Sequence, residues 1–255
     1  TNCTLCIGGS IAHPYTNGQN NETCSSDIKV RGTHTGDLYV GGVVSATICS
    51  CDNMTFTGSI DIAGTIGGKT VVGGIVGYDS RNNTKGSVMN VKNSGNITIG
   101  SIDRKTTVNA LEVGGIGGYI KNSAAITGYE NLVNTGDIFL EGEIVGFDGV
   151  VSDVATPSYV GGIFGLTEEP VINATAYCTI YAPGVYNFGW ITGVARTNEK
   201  VYAKNCQIGG HTAEVDPADE TLKLITIPEE TYYNYIYGSG KLTDWTGTEN
   251  YDGCT

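Results

Sequence analysis

Basic side chains are scarce in this sequence. Only 14 Lys and Arg stand against 26 Asp and Glu, a formal net charge of −12. A nucleic acid or an anionic membrane surface needs a cluster of cations to neutralise its phosphates, so neither is expected as a partner. Long apolar runs are missing too. None approaches the roughly 20 residues with which a helix crosses a bilayer, so no transmembrane segment is expected. The sequence begins at Thr1 without a methionine or a signal-like segment, and so reads as a mature or excised piece. Proline occurs 6 times and the 38 glycines follow no triplet, which excludes collagen. No stretch sustains the spacing of an amphipathic helix, and glycine recurs too often for one to survive.

What is present is a foldable composition, 40% apolar and 16% charged. The eight cysteines are Cys3, Cys6, Cys24, Cys49, Cys51, Cys178, Cys206 and Cys254, with three histidines beside them. An even number with few metal-ligating partners favours disulfides. Six triplets match the glycosylation acceptor pattern, at Asn2, Asn21, Asn53, Asn82, Asn96 and Asn173. Together these features lead us to expect an oxidising, extracellular setting, secreted or at a cell surface, with N-linked glycans.

A phrase recurs: "YVGGVV" from Tyr39, "VVGGIVG" from Val71, "EVGGIGG" from Glu112, "YVGGIFG" from Tyr159 and a degenerate "ITGVA" from Ile191. A second phrase lies between its copies: "TGSIDIAG" from Thr57, "SGNITIG" from Ser94 and "TGDIFLEG" from Thr135, with weaker copies from Tyr177 and Asn205. Asn93 and Asn134 precede the two best copies. Repeats of this length indicate stacked units, and short Val/Ile/Thr alternations bounded by Gly, Asn or Asp are strands between turns. The expected fold is therefore all-β, a β-solenoid or parallel β-helix, expected to be right-handed, with capping terminal segments. Val72, Val113 and Val160 should form one inward ladder, Ile75, Ile116 and Ile163 another, and Ile97 with Ile138 a third. The expected organisation is a disulfide-tethered cap or arm over 1–36, repeats over 37–210 and a Tyr-rich cap or assembly segment over 211–255.

The phrases "GGIVGY … NSGNI" and "GGIGGY … NTGDI" resemble the glycine-rich GLUG-type repeats of surface-exposed and secreted proteins. These include adhesin-like proteins and regions of some bacterial immunoglobulin A peptidases. The likeness covers roughly Asp37 to Gly210, and it implies a stalk or an adhesive surface.

Several constellations invite a chemical reading. "AGTIGGKT", from Ala63 to Thr70, matches a loose phosphate-loop pattern, yet such a loop needs a helix behind it and a strand phrase follows. Gly67 to Thr70 is therefore expected to be a turn between coils, with Lys69 solvated. Cys178 and Cys206 fall in equivalent slots of successive weak copies and are expected to pair. Cys49 and Cys51 face one way, and Cys3, Cys6, Cys24 and Cys254 are expected to staple the ends. Cys3 and Cys6 could instead form half a zinc or redox site, although no second pair accompanies them.

Carboxylates that could serve a glycan-degrading β-helix are Asp37, Asp61, Asp137, Asp148 and Asp153. Asp37 and Asp137 share a slot with Ser59 and Asn96, the pattern of a polar turn residue. His13, His34 and His211 form no triad with a serine and an acid. Asp216, Asp219 and Glu220 lack the spacing of a calcium loop, although calcium stays open as a ligand. Tyr233, Tyr235 and Tyr237 lie on one face of an expected strand near Trp245, a row suited to a partner or to covering the last coil. The expectation is a non-enzymatic structural or adhesive protein without a cofactor. It would be a protomer or module of a filament or stalk, binding itself, other surface proteins or glycans. The alternative is a polysaccharide-degrading or glycan-binding parallel β-helix.

Overall fold

The computed structural model describes residues 3–12, 19–47, 49–80, 88–121, 129–145, 158–182, 187–195, 203–204, 207–215 and 222–226. Among them are 23 strands and no helix, gathered into sheets of eighteen and five strands. Each repeat contributes strands to four parallel ladders.

The first ladder joins Leu5–Gly8, Leu38–Gly41, the end of Ser59–Gly73, the end of Asn96–Gly114, Tyr159–Gly161 and Asn187–Gly189. The second joins Val44–Thr47, Val76–Asp79, Gly117–Ile120, Phe164–Thr167 and Thr192–Ala195. A third runs through Thr23–Cys24, Thr55–Phe56, Val88–Asn93, Tyr129–Asn134 and the start of Val171–Tyr181. The fourth runs from Asp27–His34 through Ser59–Gly73, Asn96–Gly114, Ile138–Val145 and the end of Val171–Tyr181 to Gln207–Val215.

The inward rows follow from the period of two along each strand, which sends alternate residues to one face. Val40, Val72, Val113 and Val160 lie in register and are fully buried. Ile60, Ile97, Ile138 and Ile180 form a second buried row. Each such side chain contributes roughly 1.5–3 kcal/mol by leaving water. Ile75, Ile116 and Ile163 are buried at the corners, where the amide of each donates to the carbonyl of the next.

The paired glycines have two distinct causes. A Cβ on Gly115 would collide with the Asn134 carboxamide, so the second glycine of the pair leaves room for a buried polar side chain. A Cβ on Gly118 would sit 2.6 Å from Val71 Cγ1 and 2.7 Å from the Val72 amide nitrogen. There, adjoining strands of neighbouring repeats meet with almost no gap.

The structure alters several details of the sequence reading. Leu5–Gly8 pairs with Leu38–Gly41 and Asp27–His34 with residues 59–66, so both strands take ladder positions of a repeat. Gly67 to Thr70 is not a turn: Ser59–Gly73 is one strand of 15 residues, and the Gly68 amide donates to the Gly36 carbonyl at 3.1 Å. At the other end, Leu222–Thr226 runs antiparallel to His211–Val215 and breaks the parallel pattern. Tyr233, Tyr235, Tyr237 and Trp245 lie outside the described residues, as do Asp148, Asp153, Asp216, Asp219, Glu220 and His13.

Candidate functional site

The outward side chains also form rows, and these carry what chemistry the described surface offers. Asn21, Asn53, Asn90, Asn131 and Asn173 all have positive φ, between 52° and 61°. Asparagine tolerates this left-handed corner better than other residues with a Cβ. Stacked corners then bring the carboxamides together. Asn53 Nδ2 donates to Asn21 Oδ1 at 3.3 Å, Asn131 Nδ2 to Asn90 Oδ1 at 2.9 Å, and Asn173 Nδ2 to Asn131 Oδ1 at 3.3 Å. Asn90 Nδ2 reaches Asp52 Oδ1 at 2.9 Å.

This ladder gives three acceptor triplets a local cause. Asn21, Asn53 and Asn173 are needed at the corner, and two residues later Thr23, Thr55 and Thr175 take outward strand positions where threonine is favoured. Asn90 and Asn131 occupy the same corner with Lys92 and Val133 in place of threonine, so a search for triplets passes over them. Their signal is an asparagine recurring two residues ahead of an outward strand position. Asn96 belongs to another row, and Asn2 and Asn82 lie outside the described residues.

Inside the stack is a second asparagine pair. Asn93 Nδ2 donates to Asn134 Oδ1 at 2.8 Å and to the Gly95 carbonyl at 3.0 Å. Asn134 bonds the Gly136 carbonyl and amide in the same way. Both side chains are fully buried.

Lys69 is half-buried and held by neighbours. Its Nζ lies 2.9 Å from Glu112 Oε1, whose side chain is only 3% exposed, and 5.3 Å from the centroid of the Tyr119 ring. Its amide donates to Asp37 Oδ1 at 2.9 Å. The expected solvated lysine is thus corrected to one packed against the next repeat. Around it, Tyr39, Tyr78 and Tyr119 stack with ring centroids 4.8 and 5.2 Å apart. Burial, and then the Asp37 carboxylate, push the Tyr39 phenol well above its ordinary pKa.

Among the described residues the candidate acids do not come together. Asp61 pairs with Arg31. Asp137 Oδ1 accepts from the Thr179 amide at 2.7 Å, and the Asp137 amide donates to Asn96 Oδ1 at 3.0 Å. Asp137 therefore shares the row of Ser59 and Asn96, but the first member of that row is Asp27 and not Asp37. Among the described residues no group of three His, Cys, Asp or Glu side chains could hold a metal ion. His34 Nε2 lies 3.0 Å from the Asp37 carbonyl, and His211 sits in the antiparallel strand pair.

The described cysteines are Cys3, Cys6, Cys24, Cys49, Cys51 and Cys178, and no disulfide joins any two of them. The expected staples within this group are not formed. Cys51 Sγ instead donates to the Cys49 carbonyl at 4.0 Å. The residue opposite Cys178 in the parallel register is Gly210; Cys206 and Cys254 lie outside the described residues. Burial, and then the Asp137 charge, raise the Cys178 thiol to about 12.

These rows define an all-β protein of in-register parallel repeats whose outer faces carry regular polar ladders. Compared with protein-family models, curated proteins and solved structures, the chain matches none.

Proposed function

We propose that this chain is an extracellular parallel β-helix with a structural or adhesive role at a cell surface. The observation that carries the reading is the unbroken parallel register from Leu5–Gly8 to Asn187–Gly189, five strand pairings in succession. Repeats that touch only their neighbours make a body that lengthens by addition and presents long, flat sides. Such a body suits a stalk, a filament protomer or an adhesive module. The acids at hand favour this reading over glycan cleavage, because Asp37 and Asp137 accept backbone amides and Asp61 pairs with Arg31.

Small-angle scattering and negative-stain micrographs of the whole chain test the proposal. An elongated particle, together with display of the native protein on intact cells, is the expected result. A globular envelope, or release of reducing ends from a polysaccharide panel, would overturn it.

A further inference from the structure

The outer face of the fourth ladder changes character along the stack. In the first two repeats it carries Asp27, Lys29, Arg31 and Asp61, with an ion pair between Arg31 and Asp61. From the third repeat on, the row that held Lys29 and Asp61 carries no charge, while Asp137 and Glu141 stay outward on either side of Phe139. Thr98 stands where Lys29 and Asp61 stood, Phe139 follows it, and Tyr181 follows Phe139. Tyr177 lies on the same face of the Val171–Tyr181 strand, two positions before Thr179 and four before Tyr181, and is 50% exposed.

We infer that this face is a binding site for a neutral glycan chain. Tyr177 and Tyr181 are separated by about 13 Å along one strand, a span of a few hexose units. A pyranose has an apolar C–H face and a rim of hydroxyls. An exposed aromatic side chain offers the first a dispersion contact, and nearby polar side chains offer the second hydrogen bonds. Asn96, Asp137 and Thr179 form the adjoining row on this face, one residue per repeat. Their bonds to backbone amides fix the two Asx side chains, so little ordering is lost when a ligand arrives. The Asp137 carboxylate and the net charge of −12 disfavour an anionic chain.

The site deepens the adhesive reading and rests on it. Its test is titration calorimetry of the full chain with cellohexaose, laminarihexaose and mannohexaose, with hexagalacturonate as the anionic control. Saturable binding of at least one neutral hexasaccharide is expected. Tyr177→Ala and Tyr181→Ala should each weaken that binding by about tenfold or more, whereas Lys29→Ala, at the charged end of the face, leaves it unchanged. Circular dichroism melts of the variants separate lost affinity from lost fold.

The inference is overturned if no neutral hexasaccharide binds, if Tyr177→Ala binds like the parent, or if hexagalacturonate binds as tightly. Dimerisation abolished by Tyr177→Ala, without sugar binding, would assign the face to a second copy and also overturn it. An elongated, surface-displayed particle that binds none of the probes sinks this inference alone. A globular particle sinks the reading beneath it.

Discussion

Asn93 and Asn134, one repeat apart and both fully buried, are joined by a 2.8 Å hydrogen bond from Asn93 Nδ2 to Asn134 Oδ1. Each also bonds the amide and carbonyl of the glycine two residues ahead, so neither is idle in the apolar interior. Asn134→Ala leaves the Gly136 groups and one Asn93 donor without partners, and should cost about 2–3 kcal/mol. In urea unfolding, Asn93→Ala combined with Asn134→Ala should cost less than the sum of the two by about 1 kcal/mol. Strict additivity would show that the pair does not act as a unit.

Gly118 is pressed against its neighbouring repeat, with Val71 Cγ1 and the Val72 nitrogen both inside the volume a methyl group would need. The obstacle is partly backbone and cannot rotate away. Gly118→Ala should lower stability by about 1–3 kcal/mol, the range for overpacking a tight core. A melting temperature equal to the parent's would mean that the strands separate readily at this contact.

Along the exposed ladder, Asn131 combines a left-handed backbone with bonds to both neighbours. Asn131→Ala loses both advantages and should cost about 1–2 kcal/mol. Asn131→Gly keeps the backbone easy, and its loss should be smaller. Reversal of that order in chemical denaturation would remove the conformational account of the row.

Replacing Lys69 by Met removes the ion-pair partner of the Glu112 carboxylate, which is almost wholly buried. A loss of about 1–3 kcal/mol is expected, below the range for a fully buried pair because Lys69 is partly exposed. Glu112→Gln in the same background should recover part of it. Neither variant should alter nucleotide retention, since the lysine is committed to Glu112 and the Tyr119 ring; ATP bound by the parent and lost with Lys69→Met would reinstate the phosphate loop.

Cys178 should resist alkylation at pH 8 in the native state, because burial holds its thiol pKa near about 12 and the thiolate is the reactive species. Cys3, which is exposed, should react first. Mass spectrometry after labelling in denaturant without reductant should show Cys178 modified, and an unmodified Cys178 would reveal a disulfide. The raised value also has a stability consequence. Above the ordinary thiol range the unfolded chain releases this proton while the folded chain keeps it. Stability therefore falls as pH rises from about 9 towards about 12, by up to about 1.4 kcal/mol per pH unit.

The strand phrases were legible because their causes are local. Alternating Val and Ile, bounded by Gly and Asn, encode a strand with one buried face wherever they occur, and the row of Val72, Val113 and Val160 appears where the pattern places it. The exposed face of Tyr177 was less legible, because an aromatic residue at an outward position reads the same whether or not a neighbour covers it.

By itself, then, the sequence determined the strand content, the inward faces and the recurrence of the glycine corners, all set by side-chain alternation and local backbone freedom. Register was left to the tertiary structure. A strand shifted by two residues keeps the same face inward, so only stacking against the neighbouring repeat decides which residues meet. That is why Gly210 lies opposite Cys178, why Asp27 and not Asp37 heads the row of Asp137, and why Lys69 meets Glu112.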